Sequence, residues 1–393
     1  MASFFPGLHS GLNMSRKTSI LLSLFAGLLL APNTAARQFK KPVYYKVGPT
    51  GALPWSVVSA DFNRDGNFDL AVSDFAISQV TILLGNGKGG FRFGGKFSVP
   101  GASAMAVGNF NGDHIPDLAV VESGGTGQSS LAMFMGNGDG SFRNSGIYAL
   151  GIEAGFLAVA DLNGDGSQDI AVTNSDYADN GKYGNLMIFF GKGDGTLKKP
   201  VTYNLPNSPT GVAAGDLYKD HRADLAVAEL NNSSLVILTN DGRGKFKQTA
   251  TYSLGQALEP ASVVISHLVH GGNADVVVTD VGGGISVLLG NGDGTFGNPT
   301  FYSTAGVGGF GPAASVIADF NRDGKLDIAT VLHQKNSALF YGNGDGTFQL
   351  PVPVKLKDGG PSLVTGDFNK DGSPDLAVIV QTADQIAILL NAE

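Results

Sequence analysis

A nine-residue pattern recurs along this 393-residue chain and limits what it can fold into more than any other feature. The copy Asp319-Phe320-Asn321-Arg322-Asp323-Gly324-Lys325-Leu326-Asp327 reads D-x-N-x-D-G-x-x-D. Close copies begin at Asp61, Asn109, Asp161 and Asp367, and eroded ones at Asp216 and His267, so that the seven starts lie 48 to 55 residues apart. A unit of about fifty residues cannot bury a core alone and must stack on its neighbours, which makes the chain a repeat architecture.

Each full copy sets oxygen groups at positions 1, 3, 5 and 9 and can add the backbone carbonyl of position 7. That suits a hard cation, since calcium takes six to eight oxygens and needs a short loop that folds sharply. The expected ligand sets are Asp61, Asn63, Asp65, Asn67 and Asp69; Asn109, Asn111, Asp113, Ile115 and Asp117; Asp161, Asn163, Asp165, Ser167 and Asp169; Asp319, Asn321, Asp323, Lys325 and Asp327; and Asp367, Asn369, Asp371, Ser373 and Asp375. Glycine at position 6 permits the turn, although His114 replaces it in the second copy. An EF-hand loop would close with a Glu at position 12, where this chain has Val72, Val120, Val172, Thr330 and Val378. A plain Asx-rich turn would account for one copy but not for five. The fourth copy keeps Asp216, Asp220 and Asp224 but has Tyr218 at position 3 and His221 at position 6, which leaves its metal binding open. The fifth, with His267, Val269, Gly271 and Asp275, is expected to be empty.

Short apolar segments flank every copy, such as Ser56–Ala60 before the first and Leu70–Val72 after it. Too brief for helices, they predict strands A and B joined by the metal hairpin. Strand C follows, then a glycine-rich turn such as Gly290-Asn291-Gly292-Asp293-Gly294, then an aromatic or Leu (Phe91, Phe142, Leu197, Phe246, Phe296, Phe348) and strand D. Asn-Gly and Asp-Gly between apolar runs are strong hairpin signals; the turn has too few carboxylates for a second ion. Four antiparallel strands repeated seven times predict an all-β, seven-bladed β-propeller. The last unit stops after strand C, and Gln38–Tyr45 matches its missing piece. The N-terminal strand is therefore expected to complete the seventh blade and close the ring.

Glycine at 57 residues and charged residues at 15% fit a turn-dense β protein. A net charge of −8 without a basic cluster gives nucleic acid no footing. Six His and no Cys remove thiol chemistry and most transition-metal chemistry. Arg16 and Lys17, the apolar run Ser19–Leu30 and the small residues Thr34 and Ala36 predict a secretory signal over residues 1–36, with the propeller domain at 37–393. A retained anchor and a start at Met14 stay open. No other segment predicts a membrane span. About five structural Ca²⁺ ions would offset the acidic charge, and extracellular modules bind calcium at about 10⁻⁴–10⁻³ M.

The units resemble the FG-GAP/VCBS repeats of integrin α-subunit propellers and of many secreted bacterial proteins, over nearly all of Phe39–Leu390. The resemblance implies Ca²⁺ in the hairpins, with Asp61, Asn63, Asp65 and Asp69 as ligands in the first copy. After strand B the chain departs from the integrin form, with Ser73-Asp74-Phe75 where Gly-Ala-Pro would stand, and is closer to the bacterial type.

Strand alternation sends every metal hairpin and glycine turn to one face and the irregular loops to the other, where ligands usually bind. Candidates there are Trp55, Glu153, Phe156, Asp176, Tyr177, Asp179, Tyr183 and Phe310. Packing between blades is the competing role for Trp55, Phe156 and Phe310. The expected function is a secreted or cell-surface, non-catalytic binding or adhesion module for protein or glycan. A lectin proper and a polysaccharide-acting lyase or hydrolase are the alternatives. No H-E-x-x-H or G-x-S-x-G motif supports catalysis. The oligomeric state stays open.

Overall fold

Strand B of each unit is buried on both of its faces, and this explains how such short segments hold a large ring. In a computed structural model describing residues 39–392, apart from 124–127, 176–181, 256–258, 309 and 334–335, strand Asp69–Asp74 has no exposed residue. Side chains alternate across a strand. Leu70 and Val72 therefore enter the apolar cluster shared with the last blade, while Ala71 enters the one shared with the next.

The chain forms seven four-stranded antiparallel sheets, each read A-B-C-D from the inside outward. Blade 1 comprises Pro54–Ala60, Asp69–Asp74, Gln79–Gly85 and Phe91–Ser98. The A strands touch one another in an unbroken circle, including Pro54–Ala60 of blade 1 with Leu363–Gly366 of blade 7. Seven apolar clusters fill the seven joints between neighbouring blades. The expected seven-bladed propeller is the observed fold.

Closure follows the expected route. Val43–Lys46 pairs antiparallel with Gln385–Leu389 as the outermost strand of blade 7, in the register Tyr44↔Ala387 and Tyr45↔Ile386. The N–H of Lys40 adds a bond to the carbonyl of Leu390 at 2.8 Å. Phe39 takes the place of the aromatic that opens strand D elsewhere, its ring 5.9 Å from that of Phe320.

The exposed D strands are protected from pairing with other chains in two ways. In blades 3, 5, 6 and 7 a proline (Pro200, Pro299, Pro351, Pro42) precedes the paired residues and withholds a donor. In blades 1, 2 and 4 an extra residue (Gly94, Ser145, Thr249) makes a bulge at one shared position. Both devices blunt a sheet edge.

Candidate metal hairpins and the opposite face

All seven hairpins are pinned by the Asp at position 9, whether or not the other oxygen positions survive. In blade 1 one oxygen of Asp69 accepts the N–H of Phe62 at 2.9 Å and the other that of Gly85 at 2.8 Å. Asp117, Asp169, Asp224, Asp275, Asp327 and Asp375 repeat both bonds at 2.7–3.2 Å. These carboxylates are buried, and each ties the start of its hairpin to the end of strand C. Burial pushes Asp69, Asp169, Asp224, Asp327 and Asp375 up to about 6, against the lowering effect of the two N–H donors. This duty is invisible in the pattern alone. Asp275, in the most eroded copy, performs it fully.

Positions 1, 3 and 5 shape the exposed tip. Asp61 accepts the N–H groups of Asp65 and Gly66 at 3.0 and 2.8 Å, Asn63 that of Asp65 at 3.0 Å, and Asp65 that of Asn67 at 2.9 Å. Hairpins 3, 6 and 7 repeat the position-6, position-5 and position-7 bonds, from Asp161, Asn163 and Asp165, from Asp319, Asn321 and Asp323, and from Asp367, Asn369 and Asp371. Hairpin 2 keeps all three, with Asn109 reaching the His114 N–H at a longer 3.3 Å, while Asn111 and Asp113 hold the N–H groups of Asp113 and Ile115 at 3.0 and 2.8 Å. The tips are thus turned by their own backbone. Glycine at position 6 has φ near +80°, and His114 and His221 are forced to +63° in its place.

At positions 1, 3, 5 and 9 the five full hairpins offer a metal only oxygen, and a carboxylate has lone pairs beyond those its N–H partners use. That chemistry fits a hard cation. Among the described residues no three Asp, Glu or His side chains already form a cage, because the carboxylates lie on their own N–H groups. Burial raises Asp65, Asp165 and Asp371, but hydrogen bonds more than offset it and hold all three below the ordinary carboxylate value. Lys198 stands 3.4 Å from Asp165 and Lys325 3.9 Å from Asp323, both exposed.

The glycine-rich turns lock the hairpin face together. The N–H of Gly89 reaches the carbonyl of Phe368 in the preceding blade at 3.0 Å, and Gly140, Gly195 and Gly294 do the same to Phe62, Phe110 and Leu217. In blades 4 and 7 an asparagine amide takes over, from Asn240 to Leu162 and from Asn391 to Phe320, each at 2.8 Å. The turn aspartates Asp139, Asp194, Asp293 and Asp345 hold the N–H and hydroxyl of the residue two places on, which is ordinary turn chemistry.

On the opposite face Trp55 and Phe156 lie within A strands rather than in the loops before them. Both A strands carry an early register shift, between Pro54 and Ser56 and between Ala154 and Leu157, that takes these positions into the sheet. Trp55 is half-buried, 6.3 Å from the ring of Phe75. Phe156 packs against the joint between blades 3 and 4. Glu153 is half-buried at φ 54°. Tyr183 is 58% exposed, with the Lys182 amine 4.9 Å above its ring. Asp176, Tyr177 and Asp179 lie outside the described residues, as do the side chain of Phe310 and the segment 1–36 expected to be a leader.

No helix among the described residues is long and apolar enough to cross a membrane. Phosphatidylinositol-glycan-specific phospholipase D of Rattus norvegicus is 30% identical over 36% of this chain and 21% of its own length. The Mus musculus enzyme is 31% identical over 32% and 19%. The similarity spans about a fifth of those phospholipases. Among solved structures, the BP39L lectin from Burkholderia pseudomallei superposes with a TM-score of 0.63 at 16% identity, covering 88% of this chain and 97% of the lectin. BBS1N, crystallised in complex with ARL6DN, gives 0.62 at 14% identity over 91% and 98%. At such identities what is shared is the fold. Residues 109–172, 161–227, 272–330 and 319–378 each match the FG-GAP-like repeat and together take in more than half of the sequence, so the chain belongs to the FG-GAP-like repeat family.

Proposed function

We propose that this propeller is a non-catalytic binding module, secreted or displayed at a cell surface, whose hairpins hold about five structural calcium ions. The ligand, a protein or a glycan, is received on the face opposite the hairpins. The observation that carries this reading is the contrast between the two faces. Every position-9 carboxylate on the hairpin face is committed to backbone bonds, and the turns repeat from blade to blade. The other face presents loops of unequal length and an exposed aromatic, Tyr183. Loops on a rigid scaffold are where recognition usually resides.

Calcium fits the oxygen-only donors Asp61, Asn63, Asp65 and Asp69 and their counterparts, with the position-7 carbonyl as a further donor. When bound, the ion would supply charge neutralisation and cross-linking of the tip. The leader-like segment agrees with an extracytoplasmic site of action. Because a lectin shares this fold, saccharides are the first ligand class to test.

A glycan array probed with and without EDTA tests the reading, with Trp55→Ala and Tyr183→Ala as face-specific variants. Saccharide binding that these variants abolish while the protein stays folded supports it. Binding that survives both, or turnover of a saccharide or phospholipid substrate by the purified chain, overturns it.

A further inference from the structure

Hairpin 4 keeps the backbone frame of the full hairpins but not their donor set. Asp216 still accepts the N–H groups of Asp220 and His221 at 3.0 and 2.8 Å, and Asp224 still makes its two bonds. Position 3, however, is Tyr218, whose hydroxyl is drawn away to Thr239 at 2.8 Å and Thr249 at 3.3 Å. Its ring lies against the Gly294 turn of blade 5, where an added Cβ would have no room. No oxygen of position 3 is left for the tip.

Position 7 supplies the second departure. The guanidinium of Arg222 donates from Nε to Asp220 Oδ2 at 2.9 Å and from Nη2 to the same oxygen, and Nη1 reaches the Asp241 carbonyl at 3.4 Å. Lys325 occupies position 7 in hairpin 6, but its amine only approaches Asp323, at 3.9 Å, and Asn321 remains at position 3. The arginine fork is pre-organised for a carboxylate in a way that a lysine amine is not. A cavity of about 370 Å³, lined by Asp161, Asp216, His221, Arg222 and Asn240, opens beside the tip. Access is therefore not what would keep an ion out.

Resting on the calcium reading above, we infer that Arg222 is the resident cation of blade 4. Its guanidinium stands in for the ion of the full hairpins, and this hairpin stays free of calcium. The ring then has five ion-dependent tips and one tip held by a covalently attached charge.

Calcium counted by equilibrium dialysis at saturating concentration on the full chain tests this. The expected count is five for the wild type and five for Asp220→Asn, with Asp220→Asn lowering the melting temperature equally in calcium and in EDTA. The pair Tyr218→Asn with Arg222→Ser is expected to bind a sixth ion. A wild-type count of six that Asp220→Asn reduces to five overturns the inference alone, as does a folded pair variant that stays at five. A wild-type count of zero overturns the calcium reading and the inference with it.

Discussion

The phenolic oxygen of Tyr45 accepts the backbone N–H of Phe91 at 3.2 Å, across the joint between the last blade and the first. Their rings meet edge to face, 5.9 Å apart. The same bond runs from Leu197 to Tyr148, Phe246 to Tyr203, Phe296 to Tyr252 and Phe348 to Tyr302, at 2.8–3.3 Å. Tyr45 differs in lying on the N-terminal strand, so its bond fastens the segment that closes the ring. Loss of the hydroxyl leaves a largely buried N–H without its acceptor, which costs about 1–3 kcal/mol. Tyr45→Phe is expected to lower the unfolding free energy in urea by that amount. Tyr44→Phe, whose hydroxyl takes the exposed N–H of Lys357, is expected to change it by less than about 0.5 kcal/mol. Equal effects from the two would sink the assignment.

The position-9 clamp can be separated from any metal. Asp275 stands in a hairpin that has lost its other oxygen side chains, yet it holds the N–H groups of Leu268 and Gly290, both at 2.9 Å. Asp275→Ala strands two donors, for a cost of about 2–5 kcal/mol, and the loss should be the same with or without EDTA. Asp65→Ala removes an exposed carboxylate and should cost less than about 1 kcal/mol in EDTA. Denaturation curves of both variants, with and without chelator, check the contrast.

Much of this was legible in the residues. The period, the missing strand D and its match at Gln38–Tyr45 follow from counting, and the strand Val43–Lys46 takes that place beside Gln385–Leu389; the register Tyr45↔Ile386 comes from the structure. The clamp was not legible, because a buried Asp that bonds the backbone has the same letter as one that holds an ion. The tyrosines did leave a signal: each stands six residues after the aromatic or Leu that opens strand D, at Tyr45, Tyr148, Tyr203, Tyr252 and Tyr302. Their acceptor role crosses to the next blade, and a single-unit pattern cannot express that. Arg222 was missed for a related reason, since a position-7 side chain ordinarily lends only its carbonyl. Trp55 and Phe156 fall inside strands because each of these A strands has one extra residue at its start, a bulge that interrupts the period-2 alternation by which a strand is read.

Calcium removal should lower stability by mass action. A site with a dissociation constant near 10⁻⁴ M in about 1 mM calcium contributes about 1.4 kcal/mol. Five such sites would contribute about 7 kcal/mol if they act independently. EDTA is thus expected to lower the melting temperature by many degrees, and Asp323→Ala to remove roughly one site's share in calcium. A melting temperature that ignores EDTA would end the case for structural calcium.

A pH dependence should arise far from the hairpins, at the opposite end of strand B. Asp280 is fully buried, with one oxygen accepting the Ser286 hydroxyl at 2.8 Å and the other without a hydrogen-bond partner among the described residues. Burial pushes its carboxyl up to about 7, and the Ser286 bond lowers it only in part. Asp74 repeats the arrangement with Thr81 in blade 1, also pushed up to about 7 by burial; Asp384 adds to the rise, and Lys96 acts against it. An unfolded aspartate titrates near 3.9. Below about pH 4 both states hold the proton and burial carries no ionisation penalty. Between about pH 4 and 7 the unfolded chain releases the proton while the folded chain keeps it. Stability therefore falls as pH rises, at up to about 1.4 kcal/mol per unit for each group, and levels off above about 7. Asp280→Asn cannot ionise, so it should lose this slope. The stability difference between variant and wild type, followed by urea denaturation from pH 5 to pH 8, is expected to move in the variant's favour up to about pH 7 and then level off. A difference that stays flat across that range would mean that the Asp280 carboxyl is ionised in the folded protein throughout.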